Sequence, residues 1–334
     1  MLCLKADTLS LPASLRELVK AAVSECESEL YAQHASYPDP SGEGAFIECT
    51  RAIYPHWDGK TLVTNSATEA LFISLLTLKG LKKGSFALAV RVPCFFALLR
   101  QAKLLGVRIV PFERIEDLAD LSFDALLLTS NFSPPFGLSL TEQDREVVRE
   151  AIRLNNAWLI EDNPYDALWF ERAPEAIEVE RVIRVGSVSK ILSPAFRLGF
   201  IKTDDRLFKP LRSNKITLNL STASVLQKIA ARAISPFYLD VLRRTWHTRA
   251  NVLFDALGEN GITARLPEGG SFLGFDADIG IIQRAEQLGV ALDTNEHYYP
   301  DRQARGYVRC HLGALATNEA REAARLLGRA FRRA

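Results

Sequence analysis

Residues 187–199 read SVSKILSPAFRLG and place one lysine, Lys190, among three serines and seven residues before Arg197. The apolar run at 182–185 predicts a short buried strand, so this stretch begins at the carboxyl end of a strand, where open α/β sheets bind ligands. A lysine amine there can form a Schiff base with an aldehyde, and a nearby arginine can bind a phosphate. The same letters also fit a solvated lysine in a serine-rich loop, because short motifs recur by chance.

The composition is that of an ordinary globular protein. The chain has 334 residues, of which 48% are hydrophobic, enough for a large domain and a smaller one. With 41 basic and 40 acidic residues its net charge is +1, so no strong field favours nucleic acid or an anionic membrane. Small molecules are therefore the expected partners.

The cysteines and the N-terminus bear on the compartment. Five cysteines, with no C-x-x-C pair, argue against a disulfide framework and against a zinc site, so no metal is expected. The first residues lack the pattern of a secretion signal, and no apolar run reaches the roughly 18 residues of a membrane helix. We expect a soluble, unprocessed protein in the cytoplasm.

Short apolar runs alternate with amphipathic segments from about residue 60. This alternation predicts a mostly parallel sheet with helices on both faces. The predicted strands are 61–64, 86–92, 108–111, 125–129, 158–161, 182–185 and 199–202. The predicted helices between them are 69–78, 95–105 and 142–154, with Thr141 as an N-cap.

The pattern changes after Pro236. A long helix is predicted at 239–257, followed by a strand after the paired glycines Gly269 and Gly270. A helix at 280–289, a strand at 307–312 and a basic-ended helix at 319–332 complete a small α+β C-terminal domain. We expect a large domain at 46–236 and a small one at 237–334, preceded by an arm at 1–45.

Two further motifs stand beside predicted strands. Residues 161–165, EDNPY, follow an apolar strand and offer Asp162 and Tyr165, although the same residues also make a simple turn. Residues 65–70, NSATEA, open a helix, where the amides of Ala67 and Thr68 are suited to a phosphate. N-capping alone explains that second motif equally well.

Taken together and in this order, these motifs resemble those of fold-type I pyridoxal 5′-phosphate (PLP) enzymes, in the class I/II aminotransferase family. The resemblance covers nearly the whole chain and implies an aspartate-aminotransferase-like α/β fold with PLP as cofactor. It implies three catalytic residues: Lys190 on the cofactor aldehyde, Asp162 on the ring nitrogen and Tyr165 near the ring 3′-oxygen. Its implied cofactor-binding residues are Tyr37, Ala67, Thr68, Phe95, Asn131, Asp162, Tyr165, Ser187, Ser189, Lys190 and Arg197.

Three of these elements carry separate implications. Phe95 in 92–95, VPCF, matches the aromatic residue that stacks on the cofactor ring, or it is plain core. Tyr37 in YPDP is similar to a tyrosine of histidinol-phosphate aminotransferases and threonine-phosphate decarboxylases that reaches the neighbouring subunit's cofactor, which implies a homodimer. A proline turn with a surface tyrosine is the alternative. Arg309 in GYVRC resembles the arginine that binds the substrate α-carboxylate, or it forms a structural salt bridge.

The chain departs from the family pattern at one position. The family's N-P-T-G box holds an asparagine that donates to the ring 3′-oxygen, whereas residues 130–137 here read SNFSPPFG and put Pro134 in its place. Either Asn131 substitutes for it or Tyr165 is the sole remaining donor. Loss of a donor affects electron flow in the ring, unless the variant is simply tolerated.

The resemblance implies an aminotransferase that uses an α-amino acid and an oxo acid. The same apparatus also suits a decarboxylase, lyase, cyclase or oxidase of amino-acid-derived biosynthesis. The spacing from Lys190 to Arg197 is similar to that in aminoadipate aminotransferases and in MocR regulators, whose effector domain senses PLP without catalysis. A regulator is disfavoured because about 60 residues, without a basic recognition helix, precede the first sheet strand. No G-x-G-x-x-G or G-K-[ST] sequence points to a nucleotide enzyme.

Overall fold

The computed structural model of the protein describes residues 1–5, 9–30, 37–314 and 316–332. The strands are β1 Leu2–Cys3, β2 Lys60–Thr64, β3 Ala87–Arg91, β4 Arg108–Phe112, β5 Ala125–Leu128, β6 Trp158–Asp162, β7 Val182–Ser187, β8 Gly199–Thr203, β9 Phe272–Asp276, β10 Val290–Ala291 and β11 Tyr307–His311. The helices are α1 Ala13–Leu30, α2 Gly44–Ile53, α3 Ala67–Leu81, α4 Phe96–Leu104, α5 Glu142–Asn155, α6 Asp205–Asn219, α7 Ser224–Ala233, α8 Pro236–Glu259, α9 Gly280–Gln287 and α10 Thr317–Arg332. Within these residues, no helix is both long and apolar enough to cross a membrane.

Seven strands form one sheet in the order β2-β8-β7-β6-β5-β3-β4. β8 runs antiparallel to both of its neighbours, and the other pairings are parallel. The central strands are buried along nearly their whole length because helices cover both faces of the sheet. Leu71 of α3 and Leu98 of α4 pack on one face, and Val148 of α5 packs on the other. The predicted mostly parallel sheet with helices on both faces is confirmed.

Local sequence signals place the helix ends. At α5, the Thr141 hydroxyl accepts a hydrogen bond from the Asp144 amide at 3.1 Å, and the Asp144 carboxylate accepts one from the Thr141 amide at 2.9 Å. This reciprocal pair is a capping box, as the predicted N-cap at Thr141 implies. The helix ends on Asn156 in the left-handed conformation, which asparagine tolerates better than most residues.

The C-terminal residues build a smaller α+β unit. β9 and β11 pair antiparallel, with Arg309 opposite Gly274, while α8 packs against α10. Val308 and Cys310 of β11 enter the hydrophobic core beneath these helices. Because strand side chains alternate, Arg309 and His311 lie on the other face of the strand. The predicted small C-terminal α+β part is confirmed, and its boundary at residue 236 stays a prediction.

Helices α1, α2, α6 and α7 are not among the helices predicted from the sequence. Among the α1 side chains that the structure describes, the buried ones are Leu15, Ala22 and Cys26, which are seven and four positions apart and so form one narrow helical stripe. That stripe is too sparse to identify a helix by itself, and α1 is stabilised by packing against α7. α6 carries Pro210 in its interior, a residue that argues against a helix in sequence.

Candidate active site

Asp162 is the last residue of β6 and lies at the carboxyl edge of the sheet. Its side chain is buried, and Oδ1 accepts no hydrogen bond from any described residue. Burial raises the pKa of this carboxyl to about 7, because the charged form is poorly solvated there. A buried carboxylate of this kind requires a cationic partner to stay ionised at neutral pH.

Tyr165 follows three residues later in a short loop and is also buried. Its ring meets Phe272 of β9 edge-on, with 5.9 Å between centroids, and Phe132 completes this small aromatic cluster. Burial raises the pKa of the phenol, so the hydroxyl stays protonated and can act as a donor. The cluster joins the sheet to the C-terminal unit directly beside Asp162.

A buried chain of hydrogen bonds holds the loop that carries Asp162 and Tyr165. Arg184 Nε pairs with Glu161 Oε2 at 3.0 Å, and Glu161 Oε1 accepts from the Ser130 hydroxyl at 2.7 Å. Asn163 donates from Nδ2 to the Ser130 hydroxyl at 2.8 Å and to Asp166 Oδ2 at 3.3 Å. Every polar atom named here lies on a buried side chain, so the chain fixes the backbone on both sides of Asp162.

This network extends to His56 and Asn131. His56 Nε2 lies 2.8 Å from Asp166 Oδ2, and burial raises the pKa of Asp166 to about 6 despite that contact. Asn131 donates to Asp166 at 3.2 Å and to the Glu175 carbonyl at 3.0 Å, and it accepts from Arg145 at 2.6 Å. Both amide hydrogens of Asn131 are thus engaged with protein atoms, away from Tyr165.

The turn before α3 provides backbone amides at the same edge of the sheet. Ser66 caps the helix, with its hydroxyl accepting from the Glu69 amide at 3.4 Å, and its backbone φ of 121° lies outside the usual range for a serine. Ala67 and Thr68 open the helix, where the first amides have no intrahelical acceptor and the dipole favours an anion. Gly199 at the start of β8 passes directly beneath this turn.

Lys190, Ser187, Ser189 and Arg197 all follow β7. The Ser187 hydroxyl accepts from the Ser189 amide at 3.1 Å and donates to the Leu198 carbonyl at 3.5 Å, which folds the loop back on itself. Lys190 is half-buried, and its positive charge is one of the causes that lower the pKa of His311 on β11. Arg197 has a left-handed backbone, with φ of 50°, and an exposed guanidinium.

Arg309 of β11 is a buried cation held between two rings. Its guanidinium lies 4.4 Å from the centroid of Phe272 and 4.3 Å from that of Tyr298. Nη2 donates to Asp293 at 3.1 Å and to the Tyr298 hydroxyl, whereas Nε has no partner among the described residues. The salt bridge weighed as the alternative for Arg309 therefore exists, and an unused donor remains beside it.

Two predicted residues lie farther out. Phe95 is half-buried at the start of α4, with its ring 5.2 Å from Phe96, and the backbone amide of the preceding Cys94 donates to the Tyr298 carbonyl. Tyr37 is 84% exposed and so takes no part in the cluster within a single chain.

Some residues of the site are absent from the sequence-based set. Asp293 and Tyr298 are separated from Arg309 by more than ten positions and a loop, and no local pattern identifies them. His56 is similarly remote from Asp166. His311 is different, because it lies two positions after Arg309 on a strand and shares its face. Strand alternation would have identified it.

The chain was also compared with known proteins. The aminotransferase class I and II family matches residues 8–322. Aromatic-amino-acid aminotransferase 1 of Thermococcus litoralis is 28% identical over 209 residues, which are 57% of this chain and 50% of that protein. The 2-aminoadipate transaminase of Thermus thermophilus is 24% identical over 318 residues, 84% of this chain and 79% of that one. Several matches, including the first, span only about half of the relative's length.

The same similarity appears in three dimensions. The crystal structure of LysN, the α-aminoadipate aminotransferase of Thermus thermophilus, in complex with N-(5′-phosphopyridoxyl)-L-leucine, matches with a TM-score of 0.87 at 19% identity. It covers 99% of this chain and 92% of that one, which establishes an aspartate-aminotransferase-like fold. Because the family match extends over nearly the whole chain, this protein belongs to the class I and II aminotransferases, whose cofactor is pyridoxal 5′-phosphate.

Proposed function

We propose that this protein transfers the amino group of an α-amino acid to an oxo acid, with Lys190 as the residue that binds PLP covalently. The observation that carries the proposal is the Asp162 carboxylate, which is buried at the carboxyl edge of the sheet and whose Oδ1 has no hydrogen-bond partner in the described part of the chain. A cationic pyridinium nitrogen is the partner that such a carboxylate lacks. When bound, PLP supplies an electron sink for breaking a bond to the substrate Cα.

The other residues at this edge suit a phosphorylated pyridine. The amides of Ala67 and Thr68 at the start of α3 suit the phosphate, and the Ser187 hydroxyl can join them by turning its hydrogen away from the Leu198 carbonyl, which lies 3.5 Å away. Arg197 offers a planar fork to the same group from the solvent side. Ser189 lies in the same loop, and Phe95 offers an aromatic face. The residues present therefore fit the cofactor.

Each functional side chain has a distinct task in this proposal. Asp162 holds a proton on the ring nitrogen by its negative charge, and Lys190 Nζ removes the proton from the substrate Cα. Arg309 binds the substrate α-carboxylate and so sets which Cα bond faces the lysine. The geometry of that carboxylate contact decides between transamination and the loss of carbon dioxide.

The ring 3′-oxygen receives its hydrogen bond from Tyr165 in this proposal. Asn131 donates its amide hydrogens to Asp166 and to the Glu175 carbonyl, and Pro134 has no side-chain donor. We therefore assign Asn131 to holding the loop that carries Tyr165 and give it no contact with the ring. Tyr165→Phe is then expected to shift the visible absorption of bound PLP, whereas Asn131→Asp primarily lowers stability.

We propose that the active form is a homodimer in which Tyr37 reaches the cofactor phosphate of the other subunit. Its exposure of 84% in the single chain supports this, because the ring is accessible to a second subunit. Light scattering gives the mass in solution. A monomer, or a Tyr37→Ala variant with unchanged PLP affinity, contradicts this proposal.

We also infer a cytoplasmic location. All five cysteines are free, and four of them are buried, as is usual in a reducing compartment. Fractionation of the native cells tests this, and recovery from the extracellular medium overturns it.

The decisive experiment asks where PLP is attached and what an amino donor does to it. Borohydride reduction followed by peptide mass analysis is expected to place the label on Lys190, to lose it in Lys190→Ala and to keep it in the exposed control Lys20→Ala. A screen of amino acids with the holoenzyme is then expected to yield pyridoxamine phosphate and one equivalent of oxo acid. Release of carbon dioxide or ammonia instead indicates a decarboxylase or lyase, and no chemistry at all indicates a sensor.

A further inference from the structure

His311 on β11 is a buried histidine with unsatisfied hydrogen-bonding capacity. Its side chain is 1% exposed, and neither ring nitrogen has a partner among the described residues. Leaving a buried donor or acceptor unpaired destabilises the fold by about 1–3 kcal/mol, so a histidine here is unfavourable for packing alone. A leucine or phenylalanine would fill the same space without that cost.

The position of His311 directs it to the substrate side of the site. His311 lies two positions after Arg309 on the strand, so the two side chains share a face with their backbones about 7 Å apart. Phe272 contacts both: the Arg309 guanidinium lies 4.4 Å from its centroid, and the His311 ring meets it edge-on at 5.2 Å. The same phenyl ring contacts Tyr165. Through Phe272, His311 is therefore packed into the same cluster as Arg309 and Tyr165.

The ring is fixed in this position from behind. A Cβ atom placed on Gly313 would lie 2.8 Å from His311 Cε1 and 2.8 Å from Trp246 Cζ2. Gly313 therefore leaves just enough room for the imidazole. The backbone amide of His311 donates to the Leu4 carbonyl at 2.9 Å, which ties the strand to the N-terminal segment. The imidazole is therefore held where β11 and Gly313 place it.

The imidazole is neutral in this environment. Burial, together with the positive charges of Lys190, Arg309 and Arg249, lowers its pKa well below the usual value. A neutral imidazole has one N–H donor and one acceptor nitrogen. It thus adds a donor to a cationic region without adding another charge.

Arg309 offers an incoming carboxylate its unpaired Nε, but part of its guanidinium is already engaged. Its Nη2 already donates to Asp293 and to the Tyr298 hydroxyl. A carboxylate has two oxygens and about four acceptor sites, so a second donor beside Arg309 has an acceptor to use. The unpaired N–H of His311 is on the same strand face.

We propose that His311 binds substrate by donating a ring N–H hydrogen bond to the carboxylate that Arg309 holds. This inference rests on the proposed function, because it takes Arg309 as the carboxylate site. It adds a residue that no motif in the sequence analysis identifies.

The test compares variants that keep or remove the donor. Titration of the holoenzyme with 3-phenylpropionate and with acetate, followed by the visible absorption of bound PLP, gives dissociation constants for carboxylates that cannot react. His311→Leu is expected to weaken binding about tenfold with unchanged PLP content. His311→Gln or His311→Asn is expected to recover affinity to within about threefold, according to which ring nitrogen donates. His247→Leu is the control, because that ring stacks on Phe170 outside the site.

A second readout does not depend on the cofactor. The ring ¹⁵N signal that is lost in both the Gln and the Asn variants belongs to His311, and it is expected to shift when 3-phenylpropionate is added to wild-type protein. An unchanged signal, or carboxylate affinity in His311→Leu equal to that of wild type, overturns the inference. Failure of the proposed function has a different signature, namely no borohydride label at Lys190.

Discussion

A Cβ atom placed on Gly199 would lie 2.3 Å from the amide nitrogen of Ala67. The backbone of β8 therefore touches the turn that opens α3, and no side chain fits between them. This contact sets the position of the amides that we assign to the cofactor phosphate.

Gly199→Ala is expected to displace that turn and to reduce PLP affinity at least tenfold. Gly80→Ala in the same helix α3 is the control, because a Cβ there meets no atom within 4 Å. Since alanine is favoured over glycine in a helix, the control should gain about 0.5–1 kcal/mol of stability with unchanged PLP affinity. Equal PLP affinity in the two variants would contradict this assignment of the turn.

Asp162→Asn is expected to change how the stability of the cofactor-free protein depends on pH. The pKa of Asp162 is raised to about 7 in the folded protein and is about 4 in the unfolded chain. Between these two pH values the folded protein keeps the Asp162 proton, whereas the unfolded chain releases it. The free energy of unfolding therefore falls as pH rises through this window, by up to about 1.4 kcal/mol per pH unit. The asparagine variant lacks this loss.

Urea unfolding of both apoproteins at pH 5 and pH 8 measures the effect. The advantage of Asp162→Asn over wild type should be larger at pH 8, whereas with PLP present the variant should be the less stable protein. A difference that is independent of pH would show that Asp162 is already ionised in the folded apoprotein.

The buried ion pair beneath the site is expected to be essential for stability. Glu161→Gln leaves Arg184, at 5% side-chain exposure, with only the exposed Glu178 at 3.5 Å as an ionic partner, which should cost about 3–5 kcal/mol. The exposed pair Arg153 and Glu150 is the comparison, where Glu150→Gln should cost less than about 1 kcal/mol. Chemical denaturation gives both values, and similar costs would exclude the buried network as the support of Asp162.

Arg309→Leu and Tyr298→Phe should distinguish the effect of the Arg309 charge on carboxylate binding from the effect of the hydroxyl that orients its guanidinium. Loss of the guanidinium is expected to raise the dissociation constant of a carboxylate ligand by about 10- to 100-fold, as for a charge-assisted hydrogen bond. Tyr298→Phe keeps the ring under the guanidinium and removes only the hydroxyl on Nη2, so an effect of about threefold or less is expected. If Arg309→Leu binds carboxylates as wild type does, the substrate carboxylate lies elsewhere.

The sequence-based predictions succeed where the signal is local. The strand predicted at 125–129 is observed at Ala125–Leu128, and the N-cap predicted at Thr141 begins α5. Such features depend on apolar runs and capping side chains within a few residues, which are readable in one dimension. The missed helix α1 depends instead on contact with α7, some 200 positions away.

The sequence by itself determined the α/β fold class and the order of the motifs around Lys190, because strand periodicity and short loop motifs are written in neighbouring residues. Only the tertiary structure decided that Asn131 donates to Asp166 and Glu175, that Asp293 and Tyr298 both contact Arg309, and that His311 has no hydrogen-bond partner among the described residues. Burial and hydrogen-bond satisfaction are properties of the packed chain. Distant residues must come together before a side chain gains or lacks a partner.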